Sequence, residues 1–212
     1  MFRKPVLLGM LVLAGIFATA ALSEEAAKPT VFNFDADKAG DAPKGWQAAV
    51  GTWKVAADDT APSKPNVLAQ SAEGPGSQFN IALATTTSFK DLDLSLKMKA
   101  VAGKTDQGGG PVWRAKDAKN YYVCRWNPLE DNFRLYKVVD GKRTQLANAD
   151  LKAEAGWRTI RVTMKSEQIE CYLDGKKVVE AKDDTFKDAG KVGLWTKADA
   201  ATHFDDLMIT GK

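Results

Sequence analysis

The stretch DLDLSLKMKA, residues 91–100, constrains this chain more than any other. Leu92, Leu94, Leu96 and Met98 fall on one side of an extended backbone, and Asp91, Asp93, Ser95, Lys97 and Lys99 on the other. Apolar residues at period two against charged ones make a strand with one dry and one wet face, and the dry face requires a second layer to cover it. RTIRVTMK (158–165) repeats the pattern with Ile160, Val162 and Met164 inward, and QIECYL (168–173) with Ile169, Cys171 and Leu173 inward. Asp140-Gly141 and Asp174-Gly175 each separate two such runs. An Asp-Gly pair suits the type I′ hairpin turn, which needs positive φ at both central positions. APSKPN, EGPGS and GKTDQGGGP read as loops. No segment holds a helical apolar period over a helical length. The count is about a dozen strands with antiparallel connections, which predicts an all-β fold, a two-sheet antiparallel jelly-roll sandwich. No linker divides it, so residues 31–212 are expected to form a single domain.

The opening MFRKPVLLGMLVLAGIFATAALS has a basic start at Arg3 and Lys4, an apolar run from Val6 to Leu22, and small residues offering a cut after Ala20 or Ser23. That is the pattern of a secretory signal peptide over residues 1–23. A short leader, 24–30, precedes the domain. Export to a periplasmic or extracellular location is therefore expected, with no membrane span left after cleavage. Cleavage at Ser23 removes two cations and no acid, so Lys plus Arg falls from 30 to 28 against 27 Asp plus Glu. A mature chain so near neutrality has no global field to draw it to nucleic acid. Two cysteines, Cys124 and Cys171, sit in strand-like apolar runs. An oxidising compartment permits a disulfide between them, whereas a buried free cysteine acts as a small hydrophobe; both readings stand at this level.

The segments GGGPVWRAKDAKNYYVCRWNPLEDNFRLYKVVDGKR, GWRTIRVTMKSEQIECYLDGKKVVEA and GKVGLWTKADAATHFDDLMITGK resemble the concanavalin A-like lectin/glucanase superfamily. Within it they are most similar to secreted bacterial domains of the laminin-G-like and 3-keto-disaccharide hydrolase-like kind. The likeness runs over nearly all of 31–212 and is strongest from Gly108 onward. It implies two bent antiparallel sheets, glycan contact on the concave one, and pairing of the first strand, VFNFD, near the last, HFDDLMI. It also implies a structural calcium near those ends in some relatives, for which Asp35 and Asp205 are the matching carboxylates. No other cofactor is required.

The superfamily's glucanases carry their acid and nucleophile as Glu-x-Asp-x-x-Glu on one strand, and no such spacing is found here. Asp91-x-Asp93 comes nearest and reads as a wet strand face. Three weaker catalytic candidates remain. His203, the one histidine, stands beside Asp205 and Asp206, and Glu130 and Asp131 fall in a turn after Pro128. On a 3-keto sugar the C2 proton is acidified, so a single base drawn from these three would suffice, with Arg125 or Arg134 steadying the enolate. A binding surface is the main expectation. With Tyr122, Cys124 and Trp126 turned to the core, the opposite face of neighbouring strands presents Arg125, Asn127, Arg134, Tyr136, Trp195 and Lys197. Aromatic rings stack on pyranose faces while arginine and asparagine donate to hydroxyls. The reverse parity, or a merely solvated hairpin, would leave no such surface. Three functions are thus carried forward. They are a lectin-like module for a polysaccharide or glycoconjugate, a hydrolase or lyase for 3-keto-glycosides, and a protein-interaction domain of the cell envelope.

Overall fold

The computed structural model describes residues 1–2, 28–71 and 73–212; the signal-peptide reading and most of the leader lie outside them. Fifteen strands build two sheets. The first sheet runs β13 (Lys176–Lys182), β12 (Gln168–Leu173), β11 (Trp157–Lys165), β6 (Leu92–Ala102), β15 (Ala201–Gly211), β4 (Asn66–Gln70) and β3 (Trp53–Ala57), with β1 (Thr30–Phe32) added on β15. The second runs β10 (Lys142–Asp150), β9 (Asn132–Val139), β8 (Asn120–Asn127), β7 (Gly109–Asp117), β14 (Lys191–Lys197), β5 (Phe79–Ala84) and β2 (Trp46–Val50). Every pairing is antiparallel. Among the described residues no helix is long and apolar enough to cross a membrane.

The alternation read from the sequence fills the space between the sheets. Leu94, Leu96 and Met98 of β6, Ile160 and Val162 of β11, and Ile169 and Cys171 of β12 meet Trp113, Tyr122, Cys124, Trp126, Phe133 and Leu135 from the second sheet in one buried cluster. The Trp113 indole N–H reaches the Met164 sulfur at 3.1 Å, and Trp113 lies nearly parallel to Tyr122 at 5.8 Å. Both cysteines are free thiols in this core, and burial pushes the Cys124 thiol well above its ordinary pKa. The Asp-Gly turns take the expected conformation: φ is 50° and 78° at Asp140 and Gly141, and 49° and 80° at Asp174 and Gly175. The first strand pairs with the last, Val31 opposite Met208.

The second sheet does not stay flat. Arg143 on β10 lies with its guanidinium carbon 4.4 Å from the Tyr136 ring and 5.2 Å from the Phe79 ring. Phe79 is on β5, with four strands between. At about 4.8 Å per strand a flat sheet would hold β10 and β5 roughly 24 Å apart, so the outer face is curled into a trough. Two glycines permit the curl at adjacent central strands. A Cβ on Gly110 would meet the Cys124 carbonyl oxygen at 2.1 Å, and one on Gly193 the Ala82 carbonyl oxygen at 2.3 Å. No side chain fits there without moving backbone. Gly110→Ala is therefore expected to cost roughly 2–3 kcal/mol and to lower Tm by roughly 4–12 °C in a chain this size. Gly76→Ala, where the nearest atom is a methyl carbon at 3.5 Å, should leave the melting curve in place.

Candidate functional site

The trough is lined by the residues whose parity points away from the sandwich core. The cross-strand pairs Val123–Tyr136, Tyr121–Val138 and Arg125–Arg134 fix that face. Register with β7 and β14 adds Val112 and Trp195. Ile81, Leu83, Val112, Tyr121, Val123, Tyr136, Val138 and Trp195 form a second buried apolar cluster there, separate from the sandwich core. The Phe79 and Trp195 rings are in contact at 5.4 Å. The parity expected for Tyr136, Arg125, Asn127, Arg134, Trp195 and Lys197 holds, and all six share this face. The expected exposure does not: Trp195 and Asn127 are 0% exposed, Arg125 2% and Tyr136 3%. The outward face of this sheet is buried.

One end of the trough is polar and closely paired. The guanidinium of Arg125 donates to Glu130 Oε2 at 2.7 Å and to Asn132 Oδ1. Arg134 reaches the same Glu130 oxygen at 3.4 Å and donates to Asn148 at 2.8 Å. Asp106 accepts from Gly108 N at 2.7 Å, Asn127 at 3.0 Å and Lys197 at 3.1 Å. Although partial burial opposes it, donation by Asn132 and Arg125 leaves the Glu130 carboxyl below its ordinary range. Glu130 is thereby held as an anion whose proton affinity is low, a counter-ion rather than a base. Asp131 is exposed at a positive φ of 47° and turns the chain.

Three buried hydrogen-bonding atoms on this face, Tyr121 Oη, Trp195 Nε1 and Arg125 Nε, make no close hydrogen bond among the described residues, although the Trp195 N–H is near enough to the Tyr121 oxygen to act on its pKa. Burial pushes the Tyr121 hydroxyl well above its ordinary pKa, so it stays protonated. An unpaired buried donor costs about 1–3 kcal/mol, and the Tyr121 O–H and Arg125 Nε on one face mark a place where something else supplies acceptors. Tyr121, Phe79 and Arg143 were given no role by the sequence reading. The signal for Tyr121 was the unbroken apolar run YYVC, which implies burial on both faces.

His203 is on the other side of the molecule. Its strand partner is Lys99 on β6, and its Nδ1 lies 2.7 Å from Asp58 Oδ2, not on the adjacent Asp205 or Asp206. Asp58 also receives Lys99 and the Thr60 hydroxyl and amide, at 2.7 and 2.9 Å. Burial opposes ionisation of Asp58, yet bonds from Lys99, Thr60 and His203 together hold its carboxyl far below the usual range. His203 therefore cannot share a substrate with Arg125 or Arg134, which face outward from the opposite sheet. Asp205 is buried and accepts Ser63 N at 2.9 Å and Ser63 Oγ at 3.0 Å; burial raises its pKa. Asp35 accepts the Asn66 amide at 3.1 Å. Each of the two aspartates put forward for calcium thus accepts a backbone amide, Asp205 from the loop at Ser63 and Asp35 from the first residue of β4. Among the described residues no three His, Cys, Asp or Glu side chains converge as a metal site.

The profile of the 3-keto-alpha-glucoside-1,2-lyase-like domain matches residues 30–210. No curated protein sequence matches. Among solved structures, the carbohydrate-binding module CBM66 of Bacillus subtilis is similar at 21% identity and a TM-score of 0.66, covering 79% of this chain and 96% of that one. The Bacillus licheniformis beta-glucanase is similar at 13% identity and a TM-score of 0.59, over 88% of this chain and 99% of its own. A Bacillus subtilis protein with a galectin-like fold is similar at 11% identity and a TM-score of 0.59, over 79% and 89%. These likenesses establish the jelly-roll fold.

The Asp58 network gives a pH prediction. Its folded pKa lies below its unfolded value of 3.8, so its stabilisation is fully present above that value and is lost as pH falls through it toward the folded pKa. Asp58→Asn should cost about 2–3 kcal/mol at pH 7, and the gap between mutant and parent in denaturant titrations should narrow steadily below pH 4.

Proposed function

Because the chain belongs to the 3-keto-alpha-glucoside-1,2-lyase-like domain family, we propose that it is an exported glycan-binding domain whose ligand, a polysaccharide or glycoconjugate, enters the trough of the second sheet. One observation carries the reading: the Tyr121 hydroxyl and Arg125 Nε are buried without an acceptor on a face built from aromatic rings. A pyranose offers a complementary surface. Its axial C–H face packs on Tyr136, Phe79 or Trp195, and its hydroxyl oxygens accept from the unpaired donors. The fixed pairs Arg125–Glu130 and Lys197–Asp106 hold the polar end rigid, so ordering it on binding costs little.

A second reading draws on the family and on the Asp58–His203 contact. An ionised Asp58 on Nδ1 keeps the proton there and leaves Nε2 as a base. On a 3-keto-glycoside, Nε2 would take the C2 proton, the C–H electrons would form the C1=C2 bond, and the C1–O bond would break with the departing oxygen taking up a proton. Incubation with 3-keto-glucosides, followed by product mass, tests it: turnover abolished in His203→Gln would favour this reading, and no product would remove it.

Trp195→Ala and Arg125→Ala are poor tests of binding, since truncating a buried tryptophan alone costs about 3–5 kcal/mol. Tyr121→Phe is the sharper probe. It keeps the ring and deletes only an unpaired buried hydroxyl, so Tm should hold or rise, while affinity for a retained glycan should fall about 5- to 30-fold. Undiminished affinity by calorimetry would remove Tyr121 from the site.

A further inference from the structure

We infer that the glycan taken by the trough carries a carboxylate, as a uronate residue does, and that Arg143 is the side chain that receives it; this rests on the trough being the glycan site. The charges of the trough divide unevenly. Arg125 is paired with Glu130, Lys197 with Asp106, and Arg134 shares Glu130. Arg143 has no carboxylate within ion-pair distance among the described residues. It is held by two π faces instead, at 4.4 Å from Tyr136 and 5.2 Å from Phe79. Guanidinium over an aromatic ring is a weak and reversible arrangement next to a bidentate carboxylate pair. One half-buried cation is therefore left without a carboxylate on this face among the described residues.

Its position matters as much as its charge. Of the two rings under Arg143, Phe79 is half-buried and Tyr136 is buried at 3% exposure. A planar cation lying on them occupies the surface a pyranose ring would use. If Arg143 swings away to meet a carboxylate, its fork of N–H donors matches that group in two places, and the same motion uncovers Tyr136 and Phe79 for the ring that bears it. On a uronate the carboxylate is attached directly to the pyranose, so one sugar residue satisfies both requirements. A neutral hexose would have to displace Arg143 and leave it unpaired.

The test uses galacturonate, glucuronate and mannuronate oligosaccharides, each beside the same oligosaccharide after carboxyl reduction. Binding is measured by calorimetry with the mature chain and with Arg143→Ala and Arg143→Gln, once melting curves show both variants folded. The expected result is a preference of about 10- to 100-fold for one acid form over its reduced partner. It should weaken in 1 M salt, where screening acts over roughly 3 Å. Both variants should lose that preference while their affinity for the reduced partner stays the same or improves. Equal binding of acid and reduced forms, or a preference that survives in both variants, would overturn the carboxylate and leave the trough as a site for neutral glycan. Retention of none of the six would overturn this inference and the glycan reading beneath it together.

Discussion

The backbone of two central strands approaches its neighbours closely at Gly110 and Gly193, and the rest of the molecule's asymmetry follows from that contact. With a Cβ at either position the carbonyls of Cys124 or Ala82 would have to retreat, and the sheet would flatten. Flattening would carry β10 away from β5, part Arg143 from Phe79, and open to water the ring of side chains from Ile81 to Trp195. The two sheets thus differ in kind. The first is a half-wet layer, dry inside and charged outside, as antiparallel sheets commonly are. The second carries a second buried apolar cluster on its outer face.

That difference explains what was legible in the sequence. On the first sheet the contrast between Leu94 and Lys97, or Val162 and Arg161, is a local property of adjacent residues, and the inward set follows from parity alone. Asp140-Gly141 and Asp174-Gly175 are local too. On β8 the parity of Tyr122, Cys124 and Trp126 was readable, but Tyr121 and Val123 on the other side are apolar as well, and no alternation says what lies over them. Their burial depends on a bend made by glycines elsewhere and on an arginine from two strands away. The Asp58–His203 pair spans 145 residues, and nothing near either residue announces it. The neighbours Asp205 and Asp206 were the nearer candidates in sequence, but Phe204 between them and His203 turns inward, and Asp205 is already bound to the loop at Ser63.

The outer faces also handle charge differently. On the first sheet, Arg161 with Asp93 and Lys177 with Glu180 are exposed pairs of the sort that contribute about 0–1 kcal/mol. They keep an exposed face soluble and specify little. In the trough, Arg125 is 2% exposed in its side chain and Asp106 likewise. Removing such charges from water is costly, and hydrophobic replacements of similar volume are often no less stable. Stability alone does not account for two ion pairs at one end of an apolar trough, each with one partner buried and the other open to solvent.

Positioning does account for them. Glu130 and Asp106 each accept from several donors at once, so the side chains around them have little freedom left. Asn127 is fixed at both ends of its amide, donating to Asp106 at 3.0 Å and accepting from Leu129 N at 3.0 Å. A site that recognises a ring with several hydroxyls gains specificity from donors that cannot relax toward a wrong stereoisomer, because a misplaced hydroxyl leaves a buried partner unmet. On the proposed reading, the acceptors that Tyr121 and Arg125 Nε lack come from a ligand, and the rigidity of the polar end determines which ligand can supply them.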